Sequence, residues 1–145
     1  FTAVRLCEMN ENYNQQHQDI RMEEGIAYGD KPEHIDFEYL RKNTAVNLVV
    51  LASLARAPSV PREVGIVISE LTNSSRLKWK PPAFGEADGY YVLIRETSSA
   101  MWEKKIYTRD RSIEIPYSKD NYFFAVQAVS KEGEESLGVF PAPIR

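Results

Sequence analysis

The polar segment of residues 11–19 carries one of the two histidines of the chain, and its residue types could do chemistry. In this segment His17 is flanked by amide side chains and is followed two residues later by Asp19. A neutral imidazole suits Zn²⁺, because its nitrogen binds at about 2.0–2.1 Å without adding charge. Asp19 is either the acceptor that orients the imidazole through its other nitrogen or a solvated turn aspartate.

The other reactive side chains do not complete a site with His17. No metal-ligand spacing links it to His34, so spacing alone is also compatible with an ordinary exposed loop histidine. We assign no role to His34, and the adjacent acids Glu23 and Glu24 are expected on a solvated face. The single cysteine, Cys7, excludes an intrachain disulfide and a cysteine-based zinc cage, and it is expected to be a small buried hydrophobe.

The region that must position His17 covers residues 1–57. The apolar run at residues 1–6 predicts a strand, whereas residues 9–34 lack clear periodicity and are predicted to be mostly loop. His17 would then lie in a loop that follows a strand. Because the chain starts with Phe1 rather than methionine, we expect it to be part of a longer protein.

A helix is predicted for residues 36–55. Asp36 has the residue type of an N-cap, and Glu38 lies in the first turn, where acids favour the helix dipole. The following residues recur at helical spacing: Phe37, Leu40, Thr44, Leu48, Leu51 and Leu54. One strand and one helix cannot enclose a core, so the apolar stripe is expected to pack on the second region or on another copy, forming a homo-oligomer.

The second region, residues 63–145, follows a predicted linker at residues 58–62 that begins with a proline. Its apolar residues alternate with a period of two, and turn residues separate the runs. About seven strands are predicted, at residues 64–68, 77–79, 90–95, 102–108, 112–115, 122–129 and 137–140. Short strands at this regular spacing predict a β-sandwich.

Four aromatic residues of the second region, Tyr90, Tyr91, Trp102 and Tyr107, could form a strip that contacts a glycan or a peptide. A sandwich sheet buries alternate side chains, so most of the four are expected in the core. Trp102 is expected to be the most exposed of them, and it is the candidate ligand contact.

The charge and hydropathy of the chain exclude two classes of partner. The net charge of -3 argues against a nucleic-acid partner, which requires a basic face. No run approaches the roughly 18 apolar residues needed to span a bilayer, so no membrane span is predicted.

Residues 61–145 resemble a fibronectin type III domain. The resemblance rests on three motifs, at residues 77–82, 89–94 and 122–136. It implies that Trp79 is the core tryptophan and that Phe124, Val126 and Ala128 face the core. It also implies that the Tyr122 hydroxyl bonds back to the preceding loop, forming a tyrosine corner.

Residues 1–57 are similar to the C-terminal end of bacterial di-zinc aminopeptidases, the family that includes leucine aminopeptidase-like enzymes. The similarity rests on residues 3–5, 11–13, 17–19, 29–33 and 36–39 and on Asn47. It implies that His17 is the last zinc ligand of the intact enzyme and that the final helix covers its sheet. The chain departs from the family pattern at two positions. Relatives carry a second histidine where this chain has Gln15. The more widespread family form has a tyrosine directly before the ligand, whereas Tyr13 lies four residues before His17.

Together these resemblances predict a mainly β chain, in which a strand-loop-helix remnant of an α/β zinc peptidase domain precedes a fibronectin type III-like β-sandwich. The chain would be the C-terminal part of a secreted or periplasmic zinc exopeptidase that removes N-terminal residues from peptides. Zinc is expected in the intact parent only, so the chain alone would be inactive. The alternative is a non-catalytic module in which the sandwich binds a protein or a glycan.

Overall fold

The computed structural model describes residues 5–7, 9–69 and 72–145. The chain divides into two compact units, Phe1–Val50 and Leu51–Arg145. Most of the strand predicted at residues 1–6 lies outside the described residues, and Arg5 and Leu6 are not in a strand. Cys7 is exposed, so the prediction that it is buried was wrong. Burial needs a partner surface, and residues 5–7 pair with no described strand.

The first unit contains a short hairpin where the sequence predicted loop. Strand β1 (Arg21–Glu23) pairs antiparallel with β2 (Ile26–Tyr28). The connecting residues Glu24 and Gly25 both have positive φ, 50° and 79°, which matches the right-handed twist of two antiparallel strands. Glutamate before glycine is not among the usual turn pairs, so the sequence signal for this hairpin was weak.

Helix α1 (Phe37–Arg56) confirms the predicted helix to within one residue at each end. Its first turn is capped as predicted, because Asp36 Oδ1 accepts a hydrogen bond from the Tyr39 N–H at 2.9 Å. Arg41 pairs with Glu38 at 2.7 Å and lowers the pKa of that carboxyl. In α1, which the structure describes in full, no side chain is buried. No helix in the described ranges is long and apolar enough to cross a membrane.

The second unit is the predicted β-sandwich. Its strands are β3 (Arg62–Val67), β4 (Ser75–Lys80), β5 (Gly89–Glu96), β6 (Lys104–Thr108), β7 (Ser112–Ile115), β8 (Tyr122–Val129) and β9 (Ala142–Ile144). One sheet has the order β7-β4-β3-β9, and the other has the order β6-β5-β8. The core lies between the two sheets, and Phe124, Val126 and Ala128 of β8 belong to it as predicted.

The last strand lies further along the chain than the sequence indicated. Residues 137–140 do not form a strand, although Val139 makes an isolated antiparallel bridge with Val126. The chain then reaches the other sheet, where β9 pairs parallel with β3, Gly65 opposite Ala142. Pro141 has no N–H to continue the first pairing, which explains why the strand begins only after it.

The core has two aromatic pairs. Trp79 is 4% exposed and packs edge-to-face on Tyr90, with ring centroids 5.3 Å apart. Tyr122 packs in the same way on Tyr117 at 5.0 Å. Within the described residues the Tyr122 hydroxyl forms no hydrogen bond, so the predicted tyrosine-corner bond is not made. The ring of Tyr117 holds Tyr122 instead.

Candidate functional site

His17 lies in an exposed loop and has a left-handed backbone conformation. Its φ is 53°, in the left-handed region, and its N–H donates to Asp30 Oδ2 at 2.9 Å. Non-glycine residues occupy this region in only a few per cent of cases, and they do so at an energetic cost of about 1–3 kcal/mol.

The segment around His17 is attached to Gly29 and Asp30 by backbone hydrogen bonds. The Gly29 N–H donates to Asn14 O at 3.1 Å, and the Asp30 N–H donates to Gln18 O at 3.4 Å. Gly29 has a φ of 130°, and a Cβ there would lie 2.9 Å from Ile20 Cγ1. Position 29 therefore requires glycine, both for its backbone angle and for the close approach of Ile20.

The imidazole of His17 is available for a metal, but the described residues offer it no partner ligands. No described residue hydrogen-bonds to its ring nitrogens. In the described ranges no three histidine, cysteine, aspartate or glutamate side chains cluster as a metal site. A zinc-ligand role for His17 therefore stays a prediction at this point.

Asp19 and His34 are not brought to the imidazole of His17. Asp19 is exposed, and within the described residues it forms no hydrogen bond with the ring, so its orienting role stays a prediction. His34 ends a 3₁₀ turn, Pro32–His34, and is exposed as expected. Neither side chain adds a ligand to the His17 loop.

A cleft of about 820 Å³ in the first unit, lined mostly by residues with polar side chains, was not predicted from the sequence. Its lining includes Gln16, Asp30, Tyr39 and Asn43. The Oε1 atom of Gln16 is buried and has no hydrogen-bond partner in the described part of the chain. The amide-rich composition of residues 10–18 was the only sequence signal for this cleft, because its other wall comes from the first turns of α1.

The aromatic strip predicted on the sandwich is only partly exposed. Tyr90 is buried, and Tyr107, at 45% exposure, is more exposed than Trp102, at 38%, so the predicted ranking was wrong. The Tyr107 ring packs edge-to-face on Tyr91 at the surface, with centroids 5.5 Å apart, which keeps it on the solvent side of the sheet.

Trp102 belongs to a surface cluster that the sequence did not predict. Its ring lies 5.7 Å from that of Phe140, and the Arg95 guanidinium lies 5.6 Å from Trp102 and 4.7 Å from the Phe123 ring. Phe123 and Phe140 are exposed. A cation over aromatic faces stabilises such a cluster without a buried core. A ligand contact at Trp102 stays a prediction.

A second polar feature of the sandwich joins Asp88, Tyr107 and Arg109. The Tyr107 hydroxyl donates to Asp88 Oδ2 at 3.0 Å, and Arg109 Nη2 donates to the same oxygen at 3.0 Å. The hydrogen bond from Arg109, and then that from Tyr107, hold the pKa of the Asp88 carboxyl below its ordinary value of 3.8.

This lowered pKa predicts a pH-dependent contribution of Asp88 to stability. The contribution is fully present above the ordinary value of 3.8 and is lost as the pH falls through the lower folded-state pKa. Asp88→Asn should therefore lose stability at neutral pH and show a shallower fall in stability below about pH 4. Urea unfolding at a series of pH values measures both, with the exposed neighbour Asp110→Asn as control. Parallel pH curves for Asp88→Asn and the wild type would contradict this prediction.

Comparison with known proteins relates the whole chain to fungal sequences. A protein of Pyrenophora tritici-repentis named "Probable zinc metalloprotease" is 40% identical over 144 residues, which cover 99% of this chain and 30% of that protein. A similarly named protein of Leptosphaeria maculans is 39% identical over 99% of this chain and 33% of its own length. The chain thus spans about a third of the length of the curated relatives it matches.

Among solved structures, the fn3 domain of the human collagen alpha-1(XX) chain is similar to 61% of this chain and 89% of its own, with 22% identity and a TM-score of 0.47. No protein-family model matches the chain. The relatives are fungal, whereas the resemblance found in the sequence was to bacterial enzymes, and their names do not specify an aminopeptidase. The chain is related to proteins named zinc metalloproteases, and its second unit is a fibronectin type III-like sandwich.

Proposed function

We propose that this chain is the C-terminal part of a zinc-dependent exopeptidase in which His17 binds one zinc ion. The observation that carries the proposal is the exposed side chain of His17, to whose ring no described residue forms a hydrogen bond. The backbone of His17 has a φ of 53°, and hydrogen bonds join its loop to Gly29 and Asp30. The similarity of 99% of the chain to fungal proteins named probable zinc metalloproteases supports zinc as the metal. The sandwich would be an accessory domain.

Each described part has a distinct task in this proposal. When bound, zinc polarises the substrate carbonyl and generates hydroxide from water at neutral pH. His17 supplies a neutral nitrogen ligand, and Asp19 is proposed to accept a hydrogen bond from the other ring nitrogen. The exposed apolar side chains of α1, which include Leu48, Leu51 and Leu54, would pack against the rest of the catalytic domain or, in a homo-oligomer, against a second copy.

Replacing His17 with Ala in the full-length protein tests the ligand role. We expect the loss of zinc and a fall in peptide hydrolysis of more than about 100-fold, because outer partners of metal ligands already change activity by 10–100-fold. Metal analysis and hydrolysis of a peptide with a free N-terminus measure the two effects. His34→Ala is the matched control, since it removes the other histidine of the chain.

Two outcomes separate the parts of the proposal. Full zinc content and activity in His17→Ala would refute the ligand role. Equal hydrolysis of a peptide with a free N-terminus and of the same peptide with an acetylated one would refute the aminopeptidase type, while leaving a zinc peptidase in place.

The second candidate function is a non-catalytic binding module. It is favoured by the exposed cluster of Trp102, Phe123 and Phe140 on the sandwich, which could contact a protein or a glycan. This candidate gives His17 no role, so wild-type and His17→Ala proteins would then have the same zinc content. The experiment above therefore decides between the two functions.

A further inference from the structure

The hydrogen bond between His17 and Asp30 joins two residues that are thirteen positions apart. Asp30 is exposed, yet its Oδ2 accepts the His17 N–H at 2.9 Å. The carboxylate therefore binds the backbone of His17 rather than its ring. Its position opposite His17 follows from the two backbone bonds that attach residues 14 and 18 to residues 29 and 30.

His17 follows a hydrogen-bonded turn, in which the Gln15 N–H donates to Asn12 O at 3.0 Å, but its own N–H is bonded to Asp30 rather than within that turn. Among the described residues, the other non-glycine positions with positive φ are Glu24 and Glu63. Glu24 lies in the β1–β2 turn, and Glu63 lies where the β3–β4 register shifts. Both conformations are thus set by strand pairing. His17 lies outside any described strand, and the hydrogen bond at its own N–H is the one that crosses the loop to Asp30.

The φ of His17 decides where its imidazole points. Between the observed 53° and an ordinary helical value near −63°, the Cα–Cβ bond rotates by roughly 115° about the N–Cα axis. Such a rotation would move the ring nitrogens by several times the tolerance of a zinc–nitrogen bond, which is about 0.2 Å. The φ at this residue therefore sets the direction of the Cα–Cβ bond from which the imidazole projects.

We propose that Asp30 is a positioning residue: its carboxylate holds the His17 backbone in the left-handed conformation and thereby aims the imidazole at the metal. The part of this inference that concerns the metal rests on the proposed ligand role of His17. Gly29 also contributes to the position of His17, because a side chain at position 29 would collide with Ile20 and displace the neighbouring Asp30.

The test compares Asp30→Ala, Asp30→Asn and Glu33→Ala in the full-length protein. We expect Asp30→Ala to weaken zinc binding by about 10–100-fold, the range found when an outer partner of a ligand is lost. Asp30→Asn keeps an oxygen acceptor and should restore most of the affinity. Glu33→Ala removes an exposed carboxylate of the same segment and should bind zinc as the wild type does. Chelator competition measures the dissociation constants.

Hydrogen exchange at the His17 amide gives a readout that does not depend on zinc. In the metal-free full-length protein, Asp30→Ala should speed the exchange of this amide, and Asp30→Asn should not. If Asp30→Ala does not fold, Asp30→Ser replaces it, because a serine hydroxyl is too short to reach the same amide.

The outcomes distinguish this inference from the proposed function. Wild-type zinc affinity and exchange in Asp30→Ala, with zinc lost in His17→Ala, would overturn the role of Asp30 and leave the proposed function standing. Unchanged zinc content in His17→Ala would instead overturn the proposed function. Faster His17 exchange in Asp30→Ala would then still support the backbone contact, and unchanged exchange would overturn it as well.

Discussion

Replacing Trp79 with Ala is expected to lower the free energy of unfolding of the sandwich by about 3–5 kcal/mol. The side chain is almost fully buried and packs edge-to-face on Tyr90 between the two sheets. Its removal leaves a cavity that two hydrogen-bonded sheets cannot close by moving together. Guanidinium unfolding followed by circular dichroism measures the loss without depending on tryptophan fluorescence.

Trp79→Phe is the matched control, and it should lose less than half as much stability as Trp79→Ala. The Nε1 atom of Trp79 is buried and has no hydrogen-bond partner within the described residues. Leaving such a donor unpaired costs about 1–3 kcal/mol, so deleting it offsets part of the lost packing. Equal losses in the free energy of unfolding for the two substitutions would show that the cavity is not the main cause of the destabilisation.

Replacing Gly65 with Ala is expected to destabilise the sandwich by about 1–3 kcal/mol through overpacking. A Cβ at Gly65 would lie 2.8 Å from Ile144 Cδ1 and 2.9 Å from its Cγ2, which is closer than such atoms can approach. Gly65 lies in β3 opposite β9, so the added methyl group should displace the Ile144 side chain from its packing on β3. Thermal unfolding of Gly65→Ala against the wild type measures the effect.

The double variant Gly65→Ala/Ile144→Ala tests this cause. Truncating Ile144 removes the atoms that the new methyl group would meet, so the two losses should be less than additive. Gly133→Ala is a useful contrast, because a Cβ there meets nothing within 4 Å although its φ is 86°. Strictly additive losses for Gly65 and Ile144 would contradict the steric explanation.

The sandwich could be predicted from the sequence because its signals are local. Residues 122–129 form a short run rich in aromatic and apolar side chains, and the structure places a strand, β8, at the same bounds. The last strand was misplaced for a physical reason. An apolar run at residues 137–140 has strand composition, but Pro141 and the change of sheet decide where pairing resumes.

The candidate site was only partly predictable. His17 stands out by residue type, but its partner Asp30 lies thirteen residues away in a segment without periodicity. Backbone angles of single loop residues leave little trace in sequence, so the left-handed conformation could not be foreseen. Cys7 shows the same limit, since a residue type that favours burial still needs a surface to pack on.

The parallel pairing of β9 with β3 also bears on how the protein avoids self-association. Without it, β3 would be an open edge whose unpaired N–H and C=O groups could add a strand from another molecule. The strand that covers it is only three residues long and contains Pro143, which has no N–H to donate. At the edge of the other sheet, β6 begins with Lys104 and Lys105, and lysines on an edge strand disfavour pairing with another chain. Both features make these edges poor templates for aggregation.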